Sequence, residues 1–143
     1  MKPWLLVVLL ATGCGPYLSM QSSAPPGRTA RLDEVRGFWG LKGYRVELTE
    51  GIALAVSCEE GGPCEKMTIK ADDPKVVDVR TASFGVLDRN AYTGAIGSST
   101  AFVLVGKARG ATNLHLKTKD GSRVIAVTIV APPQPSPPAT VAK

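Results

Sequence analysis

An all-β domain, folded as an antiparallel sandwich of about seven strands, is what this sequence predicts, and three observations predict it. Short runs of alternating apolar and polar residues recur, as in Tyr44-Arg-Val-Glu-Leu-Thr49 and Thr112-Asn-Leu-His-Leu-Lys117. A period of two puts every second side chain on one face of a strand. Turn residues separate the runs: there are 15 glycines and 11 prolines, and Glu50-Gly51 and Asp120-Gly121 stand where a hairpin would reverse. Apolar residues make up 44% of the chain and charged ones 20%, enough to fill a core, and 143 residues leave room for one core rather than two.

Lys2 and the short apolar run over residues 4–11 open the chain. The run is too short to cross a bilayer, which takes roughly 20 residues, but it suits the apolar part of a secretory leader. Leu10-Ala-Thr-Gly-Cys14 closes it with small residues ahead of a cysteine. That pattern resembles the lipobox of bacterial lipoproteins, although Ala11 stands where leucine is commoner. The resemblance implies a diacylglyceryl group on the Cys14 thiol, removal of residues 1–13 as a signal peptide, and acylation of the new amino group. Gly15, in place of Asp, implies an outer-membrane destination. An ordinary secretory leader with Cys14 left as a free thiol is the alternative, and an unpaired thiol is awkward in an exported chain.

Residues 14–29 contain Gly15-Pro16, Ser22-Ser23 and Pro25-Pro-Gly27 without periodicity. They read as a flexible tether, so that the folded domain would span residues 30–131. Thr29-Ala-Arg-Leu-Asp-Glu-Val-Arg36 reads as a helical turn with Thr29 as its cap. Phe38-Trp39, between glycines, is the dense aromatic spot of the mature chain. Its rings either close one end of the core or offer an exposed anchor to a partner. In the first alternating run Tyr44, Val46 and Leu48 point inward and Arg45, Glu47 and Thr49 outward. Ile52, Leu54 and Val56 form the next inward stripe, and residues 66–70 a further strand.

Cys58-Glu-Glu-Gly-Gly-Pro-Cys64 encloses five residues. In an exported chain this pair reads as a disulfide closing a loop, contributing roughly 2–3 kcal/mol. Metal binding is a poorer reading: zinc sites want four ligands, and the one histidine, His115, falls on the outward face of a distant strand. Glu59 and Glu60 lack the regular ligand spacing of a calcium loop and read as a solvated acidic tip. No metal and no cofactor is expected.

The order of motifs in the second half carries a resemblance. Asp73, Pro74, Val76 and Val79, then Gly106, Lys107, Gly110, Thr112 and Leu114, closing on Ile125, Val127 and Ile129, resemble the bacterial immunoglobulin-like group 2 domain. The same residues resemble the small N-terminal β domain of pilus-type and secretion-system secretins. The first resemblance implies an immunoglobulin-like sandwich; both imply a binding module of the bacterial envelope. Ile69 stands where the first family often has Trp. Residues 81–100 exceed either family's length, and long loops often carry contacts. Asp88, Arg89 and Tyr92 are therefore candidate partner contacts, with Phe38 and Trp39. The alternative is that Phe84, Val86 and Leu87 belong to another strand pair. Gly106 and Gly110 allow backbone angles that a side chain would resist. Residues 132–143 form a proline-rich tail, extended and polyproline-like.

The net charge is +5, falling to +4 once Lys2 leaves with the leader. The basic residues are scattered among acids without an aromatic-interleaved block, which argues against nucleic acid as a partner. No nucleophile elbow, phosphate loop or metal cluster appears, so an enzyme is not expected. The reading is an outer-membrane lipoprotein, periplasmic or surface-exposed, held by its N-terminal lipid, whose β domain binds an envelope protein or polymer. The alternative is an accessory component of a secretin, pilus or other envelope-spanning secretion assembly.

Overall fold

Alternation of side chains sorts the described part of this chain into nine strands whose apolar stripes face one another. A computed structural model describes residues 15–37, 42–84, 99–119 and 121–134. In order the strands are β1 (Tyr17–Met20), β2 (Ala30–Arg36), β3 (Lys42–Thr49), β4 (Ala53–Glu59), β5 (Thr68–Ala71), β6 (Val77–Phe84), β7 (Ser99–Gly106), β8 (Gly110–Lys117) and β9 (Ser122–Val130). One sheet runs β1-β4-β7-β6 and the other β2-β3-β9-β8-β5. The all-β sandwich expected from the sequence is therefore present, with nine strands among the described residues instead of about seven. One pair also departs from the antiparallel expectation: β3 and β9 run parallel, Tyr44 beside Ile125 and Leu48 beside Ile129.

The core fills the space between the sheets. Leu54, Val56, Val77, Phe102 and Leu104 from the four-stranded sheet meet Val46, Leu48, Leu114, Leu116 and Ile125 from the five-stranded one, each at most 1% exposed. Every such side chain removed from water contributes about 1.5–3 kcal/mol. Tyr44, Val46 and Leu48 point inward as alternation requires, and so do Leu114 and Leu116. Thr49 does not follow it. It is 1% exposed, and its Oγ1 accepts the Thr29 N–H at 2.7 Å, so a polar residue expected outward satisfies a backbone donor at the sheet's end.

The amino-terminal segment overturns two expectations. Of the free tether expected over residues 14–29, the described part, from Gly15, is not free, because Tyr17–Met20 pairs antiparallel with β4 as an outer strand. Leu18 is the reason: it is 3% exposed and packs in the core. The neighbouring polar residues supply cross-strand bonds. Ser19 Oγ and Ser57 Oγ share a hydrogen bond of 2.6 Å, and the Ala55 N–H donates to Ser22 Oγ at 3.0 Å. The prolines and Gly27 then carry the chain across to the other sheet, so the folded unit begins well before residue 30. Nor do residues 29–36 make a helical turn. Ala30–Arg36 forms β2, seven residues in register with β3, with Ala30 buried and Leu32 partly so.

The two glycines of the β7–β8 connection act differently from one another. Gly110 takes φ +150°, which disfavours any side chain. Gly106 is needed for closeness instead: a Cβ there would sit 3.2 Å from Ile129 Cδ1 and from the Thr49 carbonyl oxygen. Residues 81–84 extend β6, paired with β7 as far as Phe84 beside Ser99. The base of the long insertion is thus a strand pair. Residues 85–98 and the tail from 135 lie outside the described residues.

The strands define two poles. At the near pole the chain enters at Gly15, β2 ends and β3 begins, and β6 ends and β7 begins; the Cys58–Cys64 loop and the β8–β9 turn are there too. At the far pole lie the β3–β4 turn, the β7–β8 turn and the exit from β9, tied by the Glu50 N–H to the Val130 carbonyl and the Gly51 N–H to the Gly106 carbonyl.

Candidate functional site

The near pole is built from the disulfide outward. Cys58 and Cys64 are bonded, with Sγ atoms 1.98 Å and Cα atoms 5.4 Å apart, and their side chains are at most 2% exposed. The Cys64 N–H also donates to the Cys58 carbonyl at 3.1 Å. The expected pairing is thus present, buried at the end of β4 where β1 pairs with it. The loop is not simply a solvated acidic tip. Glu60 Oε1 accepts the Thr118 hydroxyl at 2.6 Å, and Thr118 is 5% exposed beside the β8–β9 turn. Lys119 Nζ pairs with Glu65 at 3.0 Å. These contacts stitch the loop of one sheet to the turn of the other.

The amino terminus is stitched in the same way. Leu18 N–H donates to the Tyr44 hydroxyl at 3.2 Å in the interior. The backbone at Gly15 rests on Arg123, where a Cβ would fall 2.5 Å from the guanidinium. Arg123 Nη1 in turn donates to the Lys42 carbonyl at 2.8 Å. Pro16 is buried and Gly15 half-buried. Cys14, the next residue toward the terminus, lies outside the described residues.

Beside this pole the outer face of the five-stranded sheet holds a shallow groove. Val35, Gly43 and Val124 form one cross-strand row, continued by His115 and Lys70. Asp33, Arg45, Ala126 and Asn113 form the row behind it. The small side chains of Gly43 and Ala126 leave the groove, with Lys42 at its mouth. Val35 is 38% and Val124 54% exposed. Alternation alone marks Val124 as outward-facing, but its partners in the row come from strands distant in sequence. On the opposite flank the edges of β5 and β6 lie side by side over a cleft lined by Ile69, Ala71, Pro74 and Val79.

The sequence-derived candidates fare unevenly. Phe38, Trp39, Asp88, Arg89 and Tyr92 lie outside the described residues. The described ends that flank them, Gly37 and Lys42 on one side and Phe84 and Ser99 on the other, belong to the near pole. His115 Nε2 is 2.9 Å from Asp72 Oδ1, both more than half exposed. That pair sits on the open sheet face, and no serine or cysteine completes it among the hydrogen bonds of the described residues.

No protein-family model matches the chain, and no curated protein sequence matches it. The resemblances to the group 2 immunoglobulin-like and secretin-type domains therefore rest on the motif residues alone. Among solved structures the chain is similar to domains 4 and 5 of the S-layer protein SbsC, with 16% identity and a TM-score of 0.44, over 82% of this chain and 54% of that one. It is also similar to a structure of SbsC domains 1–6, with 16% identity and a TM-score of 0.45, over 84% of this chain and 14% of that one. The chain thus spans about half, or much less, of the length of the structures it matches.

Proposed function

We propose that this chain is an exported lipoprotein of the bacterial envelope whose β-sandwich binds an envelope protein or polymer and does no chemistry of its own. The observation that carries the reading is the allocation of its cysteines. Of three, Cys58 and Cys64 are consumed in a buried disulfide, a bond that suits an oxidising compartment. The third, Cys14, ends an apolar leader run just before the fold begins. A thiol in that place is accounted for by acylation.

Binding has two supports in the fold. Among the described residues β6, eight residues long, pairs only with β7 and closes the edge of its sheet; an extended segment can add to such an edge through main-chain bonds. The groove at Val35 and Val124 offers apolar contact on the other flank. The outer-membrane location belongs to this reading through Gly15.

Mass spectrometry of the mature N-terminal peptide from cell envelopes tests it. The expected result is a peptide beginning at Cys14 and carrying acyl chains, lost in Cys14→Ser. Cleavage elsewhere with Cys14 unmodified would overturn the lipoprotein assignment. Cross-linking in intact envelopes then identifies the partner, and recovery of a secretin or pilus subunit would move the protein into an envelope-spanning assembly.

A further inference from the structure

Resting on the lipoprotein reading, we propose that the near pole and the adjoining Val35–Gly43–Val124 row form a membrane-contact surface, so that the sandwich stands on the lipid headgroups with its far pole pointing away. The first argument is length. Cys14 is three positions ahead of Tyr17, where β1 begins, and three extended residues reach only about 10 Å. Nor is that short stretch loose, because Pro16 is buried and Gly15 lies against Arg123. Acyl chains inserted at Cys14 therefore bring the near pole to the bilayer surface.

The second argument is the composition of what is brought there. Four large apolar side chains stand out as exposed among the described residues: Tyr17, Met20, Val35 and Val124. Tyr17 opens β1 at the near pole. Val35 and Val124 lie one position in from the Arg36–Lys42 pair and from Arg123, facing outward. Arg36 and Lys117 flank the valine row and Lys66 stands on the other flank of the same pole, none paired with an acid among the described residues, while Glu59 lies beside Tyr17. Cations occur at the far pole as well, for example Lys75 and Lys107, so charge alone does not choose an end. The apolar row chooses it: valines at headgroup depth with a lysine and arginines beside them match an anionic bilayer interface, which attracts basic residues held close to its surface.

The test uses the acylated chain reconstituted into vesicles of phosphatidylethanolamine and phosphatidylglycerol containing a headgroup-nitroxide lipid. A genetically encoded fluorescent residue replaces Ser122 at the near pole or Ala108 at the far pole, both exposed. Quenching at position 122 should exceed that at 108 by roughly threefold or more, and Val35→Asp with Val124→Asp should lower it while leaving it above that at 108, because the link to Cys14 still holds this pole near the bilayer. Equal quenching at the two positions, or quenching at 122 indifferent to the double substitution, overturns the proposal. Both valines are exposed, and an unchanged melting temperature of the double variant shows that folding is not the cause. Should envelope-derived protein carry no acyl group, the lipoprotein reading fails by itself. The same probes on the chain from residue 14 onward, its Cys14 thiol coupled to a maleimide phospholipid, still decide which pole meets the membrane.

Discussion

β1 and β2 are both edge strands, and they are held by different means. β1 has four residues, one of them the core residue Leu18, and its one serine, Ser19, shares a hydroxyl hydrogen bond with Ser57 of the next strand. β2 has seven residues, buries only Ala30 fully, and spends its charges on the surface: Arg31 beside Asp33 and Glu47, Glu34 beside Lys42. The short strand is fixed by burial and the long one by its ladder of pairing. The charges of β2 also guard an exposed edge against adding a further chain, a defence that β1 leaves to its shortness.

The sharpest way to break this contrast is Leu18→Ala. It should cost about 2–4 kcal/mol in urea unfolding, against about 1 kcal/mol for Leu32→Ala, the half-buried equivalent in β2. Equal costs would mean that β1 is held by its ladder after all. Next in size, replacing Cys58 and Cys64 together by serine should cost roughly 2–3 kcal/mol and loosen β1 first, since Leu18 pairs with Cys58. Amide hydrogen exchange should then speed up at Leu18 before it does at Leu32.

Tyr44→Phe isolates one hydrogen bond. It strands the Leu18 N–H in the interior and should cost about 1–2 kcal/mol in thermal unfolding. An unchanged stability would show that the amide finds another acceptor. The smallest effect belongs to β2: Arg31→Ala should shift stability by no more than about 0.5 kcal/mol, and less at 1 M salt, because its partners are exposed. A loss comparable with that of Tyr44→Phe would give the surface charges of β2 a structural weight that the contrast denies them.

The same contrast explains what could be read from the sequence. β3, β8 and β9 announce themselves because alternation is local and each inward residue is large. β1 and β2 do not. A four-residue strand set among serines and prolines looks like a linker until Ser57 and Tyr44, 38 and 26 positions away from their partners, are seen to be what it bonds to. β2 reads as helical because Asp33-Glu34-Val35-Arg36 tolerates a helix, and only β3 beside it decides otherwise. The disulfide was legible from spacing and compartment chemistry. The Val35–Gly43–Val124 groove was not, for its three residues meet only through one antiparallel and one parallel pairing.

That parallel pairing has a consequence for how the molecule is made. β9, the last strand of the described residues, lies in the middle of the five-stranded sheet, between β3 and β8. A chain synthesised amino terminus first presents β2 and β3 long before the strand that must sit beside them. The five-stranded sheet therefore closes only once residue 130 has been made, with β3 and β9 some 80 positions apart in their register, Tyr44 to Ile125. Such non-local closure is slow to nucleate. It leaves β2 and β3 without their central neighbour until β9 arrives, and makes that one strand the step on which the five-stranded sheet depends.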